Sequence, residues 1–143
     1  MISNTCKSAI KAVIYLASNF ETATNCGIKE IAEYIDASEH TVGKMLQTLV
    51  KQNVIKSVKG PSGGFYISKE QRKQPIINIV EAIDGKQFFK ECGLGLSKCS
   101  SAHPCPIHDQ YKEIRDLIEK MFKGNRVIDL SEPINNGFTF LLG

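Results

Sequence analysis

Between Cys92 and His108 the chain reads CGLGLSKCSSAHPCPIH, which places three of its five cysteines and two of its three histidines within seventeen residues. Cys92, Cys99, Cys105 and His108 follow the pattern C-x6-C-x5-C-x2-H. Thiolate and imidazole are soft or borderline ligands, and a Gly- and Ser-rich loop can wrap an ion or a cluster. Thiols that only fill a core recur at periodic apolar positions. These lie among Gly, Ser, Lys and Pro, so metal binding is the favoured reading. Structural zinc sites prefer pairs separated by about two to four residues, and wider loops suit the larger iron-sulfur clusters, which are held mainly by thiolates. Spacing alone leaves both open. His103, between Ala102 and Pro104, reads as a solvated residue, and Cys26 has no partner that would give it a role.

These ligands need a scaffold. The chain has 143 residues, 42% of them hydrophobic, enough for a domain with a real core. Near the N-terminus Lys7 and Lys11 interrupt the apolar residues, so neither a signal-peptide core nor a membrane span is expected. The default is a soluble cytoplasmic protein with no membrane partner, in which thiols stay reduced and an odd number of cysteines argues against a disulfide framework. Charge divides along the chain. Residues 1–75 carry ten Lys and Arg against six Asp and Glu, whereas 76–143 carry eight against nine. From Lys44 to Lys73 seven basic residues face only Glu70, a local field that attracts a polyanion.

Helical periodicity organises the basic half. Ala9, Ile10, Val13, Ile14 and Ala17 share one face of a first helix, which the polar stretch 19–25 ends. A second helix fits IKEIAEYI. After a short turn, EHTVGKMLQTLVKQN sets Val42, Met45, Leu46, Leu49 and Val50 inward with Ser38 as N-cap, so the pair makes a helix-turn-helix. Its outward stripe is His40, Lys44, Gln47 and Lys51, with Thr41 beside it. Near the N-terminal end of that helix, His40, Thr41 and Lys44 can meet base edges while Ser38 and the helix terminus can hold a phosphate. Two β-like runs then bracket KGPSGG, a hairpin tip with Lys59 at its edge and glycines that let backbone come close to a groove wall. Helix-turn-helix plus hairpin is a winged helix.

With these residues on the page, IKEIAEYIDASEHTVGKMLQTLVKQNVIKSVKGPSGGFYIS resembles the winged helix of the Rrf2 family of bacterial transcription regulators, and the likeness runs from about residue 5 to residue 125. The most specific pieces are the wing, VKGPSGGF, and the three-cysteine loop. The resemblance implies that Ser38, His40, Thr41 and Lys44 belong to a recognition helix in the major groove, and that Lys59, Pro61, Ser62 and Gly63 belong to a wing entering the minor groove. Lys59 stands where the family usually has Arg. It keeps the charge but loses the planar fork. Cluster-binding members carry three cysteines in this loop, and the CPIH ending resembles the type whose fourth ligand is the histidine three residues after the last cysteine, here His108. The first gap, of six residues, is one longer than in that type, so the resemblance leaves [2Fe-2S] and [4Fe-4S] both open. Other members take the fourth ligand from the opposite subunit's N-terminal helix; Cys6 lies in that region, where a small core thiol is its expected role.

PIINIVEAIDG reads as a short apolar helix. PIHDQYKEIRDLIEKMFKG spaces Ile107, Tyr111, Ile114, Ile118 and Met121 as a coiled-coil seam, which needs a partner and is read as a homodimer contact. Two-fold symmetry also suits a palindromic operator on double-stranded DNA. The expected fold is mainly α with a small β-hairpin wing: a winged helix-turn-helix in 1–83, a cysteine-rich cluster loop in 84–105, a dimerisation helix in 106–124 and a C-terminal segment in 125–143. The expected function is a DNA-binding regulator, a repressor whose operator affinity is controlled by an iron-sulfur cluster. The alternatives are a zinc-bound or thiol-switched regulator of the same fold and a small electron carrier, which would have no use for a basic winged helix. An enzyme is not expected, because a thiol loop beside a dimer helix offers no evident substrate cleft.

Overall fold

The computed structural model describes residues 1–22 and 25–143; Ala23 and Thr24, in the stretch expected to end the first helix, lie outside the described residues. The first helix, α1 (Asn4–Ser18), is capped by Ser3, whose hydroxyl accepts from the Cys6 N–H. Its buried face of Cys6, Ala9, Ala12, Val13, Leu16 and Ala17 is mostly small, so neighbouring helices pack close to its backbone. It is the central rod of the domain, touched by every other α-helix up to the long one: α2 (Ile28–Ile35), α3 (Glu39–Lys51) and α4 (Ile77–Asp84), and also by α6 (Val127–Asn135).

Asp36 ends α2 in the left-handed conformation (φ 55°), a position Asp tolerates better than most side chains, and the next helix begins at Glu39. Val42, Met45, Leu46 and Leu49 of α3 are buried together with Ile31 and Ile35 of α2, as expected from the sequence, whereas Val50, also expected inward, is only half-buried against the core. Strands β1 (Lys56–Val58) and β2 (Gly64–Tyr66) pair antiparallel, with Ser57 opposite Phe65. The fold is thus mainly helical with a two-stranded wing.

α5 (His108–Gly124) starts two residues later than Pro106, where the expected helix opened. The C-terminal segment is helical over Val127–Asn135 and packs along α1. The end of α5 is tied to the winged body by backbone bonds: Ile76 donates to the Asn125 carbonyl (2.9 Å) and Val127 to the Gln74 carbonyl (2.9 Å). No described helix is long and apolar enough to cross a membrane.

Candidate nucleic-acid interface and metal site

Ser38 sits where the sequence placed it, as N-cap of α3, accepting from the Thr41 N–H at 3.2 Å and donating its hydroxyl to Thr41 Oγ1 at 2.9 Å. His40, Thr41 and Lys44 are all exposed on the first turns of the same helix, and Gln47 and Lys51 continue the stripe. Across from that stripe lies the wing, and between them runs a furrow of about 520 Å³ bordered by Gln47 and Lys51 on one side and Lys59, Gly60 and Gly63 on the other. Lys59, Pro61 and Ser62 are exposed at the hairpin tip.

Local chemistry explains why the tip needs glycine. A Cβ on Gly63 would lie 2.1 Å from the Val58 carbonyl oxygen, and one on Gly64, whose φ is +152°, would lie 2.7 Å from the Cys26 carbonyl oxygen. That second approach exists because the wing pairs with the segment before α2: Cys26 N–H donates to the Phe65 carbonyl (2.9 Å) and Phe65 N–H to the Cys26 carbonyl (2.8 Å). Asn25 adds a tether, donating its side-chain amide to the Ser62 carbonyl at 3.2 Å. The sequence reading missed Asn25. Its signal is weak, because an Asn before a helix is an ordinary loop residue until the hairpin is seen to fold back on it.

The second site gathers around the start of α5. Cys92, Cys105 and His108 are buried, at 8%, 8% and 5% exposure, and Cys99 is half-buried. Cys99 Sγ lies 3.4 Å from His108 Nδ1. Cys105 and Cys92 lie near enough for each to shift the ionisation of the other. Backbone N–H groups of Leu94 and Leu96 hold the Cys92 thiol below the usual range, with Cys105 and Gly95 adding to the effect, whereas burial raises that of Cys105. Cys99 and His108 are thus in contact, and Cys92 and Cys105 lie near enough to influence each other. Among the described residues no group of three or more His, Cys, Asp or Glu side chains closes into a cage for one ion. The His108 Nε2 atom is buried with no hydrogen-bond partner, a costly state for an imidazole unless something else completes the site. Three thiols, one imidazole and an orphaned ring nitrogen fit a soft metal group.

His103 is exposed, as expected. Cys6 and Cys26 are buried apart from this set, and burial, joined by Asp84 beside Cys6 and by Glu30 beside Cys26, pushes both thiols up to about 12, which suits inert core residues. Of the expected seam, Ile107, Ile114 and Met121 are exposed. Tyr111 and Ile118 instead turn toward their own chain, and the exposed stripe is completed by Leu117, which is 61% exposed and was not singled out in the sequence.

A winged helix with an exposed, basic recognition-type helix defines the class: a DNA-binding transcriptional regulator. The chain belongs to the Rrf2 family, described as iron-dependent transcriptional regulators, whose match covers residues 2–133. A protein of Aquifex aeolicus (strain VF5) assigned as an HTH-type transcriptional regulator is 33% identical over 132 residues, covering 91% of this chain and 90% of that one. The HTH-type transcriptional regulator IscR of Klebsiella pneumoniae (strain 342) is 27% identical over 90% of this chain and 76% of its own. Among solved structures, CymR, the global cysteine regulator of B. subtilis, superposes with a TM-score of 0.75 at 19% identity, covering 92% of this chain and 96% of that one. Relatives and fold alike are those of regulators and not of enzymes.

Proposed function

We propose that this regulator is a homodimer that binds a palindromic operator, and that an iron-sulfur cluster held by Cys92, Cys99, Cys105 and His108 sets its affinity. The observation that carries the reading is the pairing of Cys99 with His108, the first residue of α5, beside the buried Cys92 and Cys105 of the adjoining loop; the same helix presents an exposed apolar stripe of Ile107, Ile114, Leu117 and Met121. One helix thus carries the histidine donor and the surface that a second copy would cover. The family's iron dependence and the IscR relative support the cofactor.

When bound, such a cluster supplies a group whose charge and ligation respond to oxygen, nitric oxide or iron supply. The chain's own residues do the rest. Cys92, Cys99 and Cys105 offer thiolates; His108 offers a neutral nitrogen, the weakest of the four ligands and the point at which the set opens. Ser38, His40, Thr41 and Lys44 enter the major groove, and Lys59, Pro61, Ser62 and Gly63 the minor groove, with the furrow between α3 and the wing receiving the phosphate backbone. The loop joins directly to α5, so its state reaches the spacing of the two recognition helices.

A second reading, a thiol switch without metal, is favoured by the closeness of the buried, free Cys92 and Cys105 thiols, each of which shifts the other. Protein reconstituted with iron and sulfide without oxygen separates the two. The cluster reading expects visible absorption that is absent from Cys99→Ala, together with a change in operator affinity on loading. A colourless protein whose affinity changes only on thiol oxidation would establish the thiol switch instead.

A further inference from the structure

The segment that enters the cysteine loop is gripped by α5 at two points, one on either side of Cys92. On the far side, Gly93 lies flat on the ring of Tyr111: a Cβ there would come within 2.7, 2.8 and 2.9 Å of three ring carbons, so only glycine permits the contact. On the near side, Arg115 donates Nη1 to the Glu91 carbonyl at 2.8 Å. The Arg115 side chain is 9% exposed and its Nε is buried without a hydrogen-bond partner, the carboxylate of Asp116 standing 3.9 Å away. A buried guanidinium is costly, and here it is committed to a neutral backbone oxygen next to a cysteine.

His108, Tyr111 and Arg115 are spaced three and four apart, so a metal donor, a ring and a guanidinium form one stripe on α5. The exposed apolar stripe runs beside it, roughly a quarter turn round the same helix. Between Glu91 and His108 the chain has no helix or strand of its own. The position of Cys92 relative to α5 is therefore set by these two contacts, together with the turn that joins Gly95 N–H to the Cys92 carbonyl.

We propose that Tyr111 and Arg115 are positioning residues, a two-point grip through which the state of the cysteine loop is transmitted to α5. The inference rests on the proposed cluster-controlled reading and names the side chains that carry its coupling. A ligand set completed by Cys92 pulls on Glu91 and Gly93 together, and those two residues bear on α5 through a guanidinium and a ring rather than through the flexible remainder of the loop. Removing the ring should leave the donors and the DNA face in place and disconnect them.

The test uses the full-length protein and a palindromic duplex selected from a random library by the wild type. Affinity is measured at fixed salt for the reconstituted and the metal-free forms, with the visible spectrum and the sedimentation mass of each recorded. Wild type should show a ratio between the two forms within the 5- to 150-fold range of allosteric coupling. Tyr111→Ala and Arg115→Gln should each bring that ratio below about twofold while spectrum, dimer and the affinity of the metal-free form stay near wild type, and Tyr111→Phe, which keeps the ring, should restore the full ratio. Gly93→Ala, which wedges loop and ring apart while leaving every residue of α5 unchanged, should reduce the ratio as well and decides the matter if Tyr111→Ala does not load. A merely structural Tyr111 would lower melting temperature and leave the ratio alone; a wild-type ratio in both Tyr111→Ala and Gly93→Ala overturns the grip. Equal affinity of the two wild-type forms would overturn the cluster-controlled reading itself.

Discussion

In the wing every side chain singled out is exposed and the backbone does the holding: Cys26 pairs with Phe65, Asn25 reaches the Ser62 carbonyl, and Gly63 and Gly64 pass where no Cβ fits. In the cysteine loop the arrangement is inverted. Cys92, Cys105 and His108 are buried, while the backbone from 91 to 107 forms neither helix nor strand. A surface meant to meet a large rigid partner is shaped in advance, so little ordering is left to offset on binding. A loop whose reactive groups are buried and whose backbone is irregular has its order completed by what those groups hold. On the proposed function the first region recognises and the second responds.

That contrast predicts separable failures. The largest effect is expected from Cys105→Ser, which should abolish visible absorption after anaerobic reconstitution while leaving salt-dependent duplex binding at the metal-free level; loss of both together would mean that the two regions are not independent. Next comes Gly64→Val. It forces a branched side chain against the Cys26 carbonyl in a backbone conformation that such residues avoid, and should lower stability by about 1–3 kcal/mol in chemical denaturation and weaken binding to every duplex, with the reconstituted spectrum unchanged. Lys44→Ala should erode discrimination between operator and mutated operator by about 1–3 kcal/mol in competition binding. Ser38→Ala removes the cap of α3 and should cost about 1 kcal/mol of folding stability. The smallest change is expected from Lys59→Ala, which should weaken all sequences alike and flatten the dependence of log affinity on log salt by about one unit. An unchanged salt slope would place Lys59 off the phosphate backbone.

Much of this was legible in the sequence because it rests on local rules. The period of Val42, Met45, Leu46 and Leu49, the Ser38 cap and the glycine-rich tip each specify their own conformation within a few residues, and each appears in the structure as read. The proximity of Cys99 to His108 at the mouth of α5 was legible by residue type and crowding. What escaped depends on contacts between distant segments. Asn25 acts on Ser62, 37 positions away, and Arg115 on Glu91, 24 away; nothing in the neighbourhood of either residue marks it. The seam on α5 shows the limit of periodicity. A heptad pattern names the apolar positions of a helix but not which stripe faces its own domain, and Tyr111 and Ile118 went inward because Gly93 and the core lay on that side.

The backbone bonds that pin residues 125–127 to Gln74 and Ile76 have a mechanical consequence. They fasten α5 at its far end, so the helix is a lever with a fulcrum near Asn125 and a free end at His108. Seventeen residues at 1.5 Å each make an arm of about 25 Å. A displacement of about 1 Å at the His108 end is then a rotation of only about 2° for an arm of that length. Leu117, near the middle of the arm, moves less than half as far as His108, and Met121 less again. Motion imposed at the loop is thus delivered mainly to the Ile107 and Ile114 end of the apolar stripe, and the end nearest the fulcrum stays in register.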